Sequence, residues 1–227
     1  MKEEDVLKQA KEIEEELKGV GQEVKKFKSP LWYILGVLLA LLIVLMIVPY
    51  YSIRLDPRPS YTPTLEEVLP ASIDVNETYL NAISMEMVNG RDPVIKEIAD
   101  KIVVKACEKE GRVCHAKAIF YFVRDNFEYV SDPTAYEYVK TAKESLVSGG
   151  GDCDDSSVLA ASLLDAIGVK SRFVFIPGHV FIQANLPEAL NRYKVDNGWV
   201  NLDAACSYCE FGEISWKSVD KEKKYLG

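Results

Sequence analysis

Histidine is almost missing from this chain. Its 227 residues hold two, His115 and His179, so any chemistry that needs an imidazole base has two places to find it. A basic excess is missing as well: the net charge is −8, and acids still outnumber bases after the first 30 residues. That argues against a phosphate backbone as a ligand, and no nucleic-acid partner is expected. There is no internal repeat and no low-complexity tract. Between Ser29 and Ile53 there is no charged residue at all. No small-residue cleavage site follows this run, and the charged leader before it is long, so a removed signal peptide fits poorly.

The uncharged run reads LWYILGVLLALLIVLMIVP over residues 31–49. A helix of 19 residues reaches about 28 Å, close to the roughly 30 Å of bilayer hydrocarbon. Trp32, Tyr33, Tyr50 and Tyr51 fall at its two ends, as an aromatic belt does. We therefore expect one transmembrane helix over residues 29–53 and the lipid bilayer as a partner. Lys18, Lys25, Lys26 and Lys28 precede it; Arg54 and Arg58 follow. The positive-inside rule then puts the N-terminus in the cytoplasm and the rest in an extracellular or periplasmic space. The sequon Asn76-Glu77-Thr78 agrees with that side.

Residues 1–28 lack proline and carry Val6, Ala10, Ile13, Leu17, Val20, Val24 and Phe27 at alternating steps of 4 and 3. This is a heptad seam. It reads either as a coiled coil that pairs chains, hence a homo-oligomer through this helix, or as a single amphipathic helix leading into the span. Four prolines (57, 59, 63 and 70) make residues 54–71 read as a stiff stalk. A globular domain over 72–227 follows.

Within it, Asp92-Pro93 signals a helix start, with Ile95, Ile98, Ile102 and Val103 at helical spacing to about Lys109. A second helix is expected over 113–126, an extended Phe127–Val130, and a short helix over 135–147. The stretch Gly149-Gly150-Gly151-Asp152-Cys153 then opens a helix whose apolar residues run to Ile167, where Gly168 closes it. Beyond that the period changes. Arg172–Ile176 and His179–Ala184 read as strands about a Pro-Gly turn, and Asn197-Gly198 joins Tyr193–Val195 to Trp199–Leu202 as a hairpin. Helices first and an antiparallel sheet afterwards make an α+β domain.

The five cysteines are 107, 114, 153, 206 and 209. The arithmetic of two close pairs and one single thiol points, in an oxidising compartment, to disulfides within Cys107/Cys114 and Cys206/Cys209. The pair at 206 and 209 is also compatible with free thiols or with half of a zinc site. Cys153 stands apart. At a helix N-terminus the unpaired N–H groups and the dipole favour a thiolate, with a pKa of about 3.5–7.5 for activated cysteines; Asp152, Asp154 and Asp155 oppose this. His179 opens a strand and Asp203 ends a strand that follows it, so the two can meet at one sheet edge. Thiol, imidazole and an acid that orients the imidazole are the three parts of a cysteine nucleophile. His115, beside Cys114, reads as a surface or capping residue.

Those motifs, GGGDCDD, GHVF and GWVNLDAA, resemble the transglutaminase-like superfamily, relatives of the papain-like cysteine proteases. The resemblance covers about residues 112–206. It implies a papain-like core with Cys153, His179 and Asp203 as catalytic residues. Val180 precedes the aromatic Phe181, and Ala204 stands where the family has proline. Loops like those that bind calcium in animal transglutaminases are absent, and no cofactor or metal is implied. The Cys153 N–H is expected as half of an oxyanion hole, with Tyr129 as the second donor before Tyr136 or Tyr138. Trp199 is expected in the core or as a wall of the site. The resulting expectation is a membrane-anchored thiol enzyme that hydrolyses peptide or protein amides through a thioester. Acyl transfer to amines, a catalytically silent binding module and a membrane adaptor are the alternatives.

Overall fold

The computed structural model describes residues 8–15, 30–75, 82–109, 111–133 and 138–227. Most of the heptad seam, the sequon at 76–78 and Tyr136 lie outside these. Residues 8–15 are helical and exposed. The chain divides after Tyr50 into two units.

Helix α1 (Pro30–Leu55), most of it in the first unit, starts on a proline at its first position. Its residues Pro30–Val48 form one stretch long and apolar enough to cross a membrane. The side chains along Leu31–Val48 are exposed.

The second unit begins with a segment that its prolines had marked as a stalk. Residues 56–70 instead lie on the unit. Ser60 N–H donates to Ala106 O at 2.9 Å. Asn126 accepts from Leu65 N–H and donates to Pro63 O, and Val68, in the short helix α2 (Leu65–Val68), is fully buried. Proline stiffens this segment, and these bonds dock it.

Helix α3 (Pro93–Ala106) is capped by Asp92, which accepts from the Val94 and Ile95 N–H groups. It buries Ile95, Ile98, Ala99, Ile102, Val103 and Ala106. It stops three residues short of the expected Lys109, and a Cys107–Cys114 disulfide ties its end to helix α4 (Arg112–Asn126). Helix α5 is shorter than expected, Ala142–Ser148, because Thr141 and Glu144 form a capping box that starts it there. Helix α6 (Cys153–Ala166) runs through the core, buried from Asp155 to Leu164. Gly168, at φ 74°, ends it as expected.

Five antiparallel strands follow in the order β5-β6-β4-β3-β7. They are β3 (Ser171–Ile176), β4 (His179–Asn185), β5 (Lys194–Asp196), β6 (Trp199–Leu202) and β7 (Lys224–Leu226). Asn197 and Gly198 both take positive φ, as the tight hairpin turn requires. One face, with Phe173, Val180, Ile182, Ala184, Val200 and Leu202, packs on the helices. Val174, Ile176 and Phe181 form a small cluster with Ile214 on the other. Strand β7 pairs with β3 at the sheet edge; its charged, alternating Lys-Tyr-Leu gave little strand signal. The second unit is thus α+β, with helices on an antiparallel sheet.

Candidate active site

The site is built where α6 begins. Strand β1 (Glu128–Tyr129) pairs in parallel with β2 (Gly150–Gly151), and Val130 N–H donates to Gly151 O at 2.9 Å. This short ladder carries Tyr129 to the residue before the Asp152 cap. The three glycines serve two purposes. Gly149, at φ 68°, ends α5 in the left-handed region. Gly150 and Gly151 are needed for close approach: a Cβ on Gly150 would meet Glu128 O, and one on Gly151 would collide with the Asp155 carboxylate.

That carboxylate is 1% exposed. It accepts from the Lys140 N–H at 2.7 Å, from Lys140 Nζ at 2.6 Å and from Asp152 N–H at 3.3 Å. Asp152 in turn caps the helix, accepting from the Asp154 and Asp155 N–H groups. The cap therefore engages the second and third N–H groups of α6 and leaves the first, on Cys153, outside it.

The Cys153 thiol is half-buried and is the free cysteine among the five. It donates to Asp154 Oδ1 at 3.4 Å. Ser157, one turn further along the helix, donates to Val180 O at 3.4 Å, which sets the start of α6 against the first residues of β4. Burial, then the Asp154 and Asp152 carboxylates, push the thiol up to about 12, against the Val180 N–H, which lowers it. This reverses the sequence expectation of a lowered pKa. Desolvation and two flanking carboxylates act against the helix terminus. Asp152 itself is raised by burial and by Asp155.

His179 Nε2 lies 3.0 Å from both oxygens of Asp203. A carboxylate has no proton to give, so Nε2 carries the hydrogen. Asp203 has no exposed surface. The pairing follows from register: β4 and β6 are antiparallel with Ile182 opposite Leu202, so the end of β6 arrives beside the start of β4. The His179 ring also stacks on Phe181, with centroids 6.2 Å apart.

Of the expected oxyanion donors, Tyr129 reaches the thiol's neighbourhood. Burial, then the charges of Cys153, Asp152 and Asp154, raise its hydroxyl pKa, so it keeps its proton. Tyr138 is engaged elsewhere, donating to Glu144 at 2.6 Å. Trp199 is not at the site. Its place opposite Asn185 is six residues along β4 from His179, about 20 Å away. There it is half-buried under the Arg172 guanidinium, 4.2 Å from its ring centroid. Sequence order put Trp199 near Asp203; strand direction carries it to the far end.

Two groupings bring three potential metal-donor atoms within 4.8 Å of one another: Asp152, Cys153 and Asp154, and Asp203, Cys206 and Cys209. In the second the sulfurs form a disulfide, which offers no thiolate to a metal. The four paired cysteines are joined as 107–114 and 206–209. The residues missed from sequence are Val180, acting through its backbone, and Lys140, which holds Asp155. The Lys140-Thr141 start of a capping box was the available signal for the second.

Residues 96–204 match the model of the transglutaminase-like superfamily. No curated protein matches the chain in sequence. Among solved structures, LapG of Legionella pneumophila aligns at 20% identity over 56% of this chain and 71% of its own, with a TM-score of 0.41. A candidate cysteine protease of Cytophaga hutchinsonii aligns at 20% identity over 49% of this chain and 37% of its own, TM-score 0.37. A candidate protease of Parabacteroides distasonis aligns at 16% over 48% and 22%, TM-score 0.37. The alignments with the last two thus span well under half of their chains.

Proposed function

From a chain whose residues 96–204 belong to the transglutaminase-like superfamily, we propose a thiol enzyme that hydrolyses peptide or protein amides through a thioester on Cys153. The observation that carries this reading is the His179–Asp203 pair, 3.0 Å apart and closed from solvent at Asp203, at the start of the strand against which the Cys153 helix packs.

Asp203 holds Nε2, which leaves Nδ1 as the nitrogen that takes a proton. With the thiol pushed up to about 12, sulfur rests protonated. The S–H proton passes to Nδ1 as sulfur attacks the amide carbon, so the thiolate is made during attack and not stored. The carbonyl oxygen gains the charge and is met by the Cys153 N–H, free of the Asp152 cap, and by the protonated Tyr129 hydroxyl. His179 then gives its proton to the leaving amine. Water, deprotonated by His179, cleaves the thioester and returns the thiol. Asp203 stabilises the imidazolium at each stage.

In this reading α1 anchors the enzyme in a bilayer, with residues 1–28 cytoplasmic and the catalytic domain outside. The lysines before the span and the two disulfides, which persist in oxidising compartments, support that orientation. Incubating full-length protein with peptide amides, with and without a primary amine, tests the reaction. Free carboxylate as the product under both conditions supports hydrolysis. An amine-linked product that replaces it identifies acyl transfer.

A further inference from the structure

A second polar site lies on the outer face of the sheet. Arg172 on β3, Gln183 on β4 and Asn201 on β6 line a groove of about 510 Å³. Gln183 and Asn201 are 2% and 6% exposed. Arg172 Nε donates to Gln183 Oε1 at 2.8 Å, and Gln183 Nε2 donates to Asn201 Oδ1 at 2.7 Å. Each amide has one accepting and one donating end. The arginine, which can only donate, therefore sets the direction of both amides.

The relay ends on Asn201 Nδ2, which has no acceptor among the described residues and is open to the groove. At its other end, the guanidinium is clamped between the rings of Trp199 and Tyr225, at 4.2 and 4.3 Å. Its Nε bonds Gln183, and its two terminal nitrogens have no protein acceptor among the described residues. Rotamer freedom has already been lost at all three side chains, so a ligand finds the donors in place.

From this we infer that the groove binds a small carboxylate-bearing ligand, independently of the Cys153 centre. Both ends of the relay donate, so the ligand must accept. A planar, fixed guanidinium fork matches the two oxygens of a carboxylate, and Asn201 Nδ2 adds a third donor. Asp196, Glu213 and Lys223 line the same groove. The two acids balance Arg172 and Lys223, which suits a singly charged carboxylate and disfavours phosphate and polyanions. The volume suits a ligand of amino-acid to dipeptide size. Nothing in the proposed reaction uses these residues.

Calorimetric titration of the full-length protein in detergent micelles tests this, with N-acetylalanine, its carboxamide and inorganic phosphate as probes. Saturable binding of N-acetylalanine is expected, with the carboxamide and phosphate at least about tenfold weaker. Arg172→Lys keeps the charge and loses the fork; it should weaken N-acetylalanine by at least about tenfold. Cys153→Ala should bind as wild type does. If Arg172→Lys melts early, Asn201→Asp, which keeps the volume and sets a carboxylate against the ligand, must lose binding instead. The inference is overturned by absent binding at millimolar N-acetylalanine, by equal binding of the carboxamide or phosphate, by a folded Arg172→Lys protein of unchanged affinity, or by lost affinity in Cys153→Ala.

Discussion

His179 Nε2 reaches both carboxylate oxygens of Asp203 at 3.0 Å, and Asp203 has no exposed surface. A buried acid on one nitrogen fixes which nitrogen remains for the thiol. Asp203→Asn keeps the shape and can present its NH₂ group to Nε2, which then must accept and so takes the wrong tautomer. Turnover of a peptide amide is expected to fall by at least about 100-fold with the fold intact by circular dichroism. Unchanged kcat would show that Asp203 merely packs the end of β6.

The Cys153 thiol, pushed up to about 12 by burial and its flanking carboxylates, should rest protonated at neutral pH. The thiolate ultraviolet absorbance of wild type minus that of Cys153→Ala should stay flat from about pH 5 to pH 9, where an ordinary exposed cysteine has already begun to titrate. A thiolate step below about pH 7 would mean a preformed ion pair with His179.

Removing one flanking carboxylate tests the same electrostatics. Asp154→Asn takes away a charge that raises the thiol. The Cys153 pKa should move down, and alkylation by iodoacetamide should quicken at a given pH. An unchanged rate would leave burial alone as the cause.

Lys140 holds the buried Asp155 carboxylate through both its N–H and its ammonium. Lys140→Met leaves the charge with backbone donors only, and a loss of about 3 kcal/mol is expected in urea unfolding. Gly151→Ala drives a methyl group into the same carboxylate and should cost about 2 kcal/mol. A stability within error of wild type for both would remove Asp155 as the support beneath the Cys153 turn.

Asp56 joins Lys117, which is 1% exposed, and also accepts from Arg192 and Tyr193. Burial raises its pKa, and the bonds from Lys117 and Tyr193 outweigh this and leave it lowered. Its folded value therefore lies below its unfolded value. The stability that it contributes is present above about pH 3.8 and is lost as pH falls through the lower folded pKa. Asp56→Asn should cost about 3 kcal/mol at neutral pH, because Lys117 keeps its charge without a full partner. That cost would be near zero if residues 56–70 were a free stalk.

Elements that bury one periodic face were legible in the sequence: Ile95, Ile98 and Ile102 for α3, and the hairpin about Asn197-Gly198. So was the meeting of His179 with Asp203, because antiparallel strands bring a start beside an end. What was not legible depended on sums over three-dimensional neighbours. The helix terminus at Cys153 argued for a thiolate, and burial with Asp152 and Asp154 reversed it. The β1–β2 pair is two residues long, too short to show a period. Trp199 lies four residues from Asp203 in sequence, yet the strand runs away from the site. The stalk reading of residues 54–71 rested on prolines, which report stiffness and not docking.

The central claim is that His179 activates Cys153. It is tested most directly by the rate at which an electrophilic thiol probe labels full-length wild type, Cys153→Ala and His179→Ala at neutral pH. Labelling at Cys153 that is fast in wild type, absent in Cys153→Ala and slowed at least about 100-fold in His179→Ala is the expected result. Equal, slow labelling of wild type and His179→Ala would contradict it.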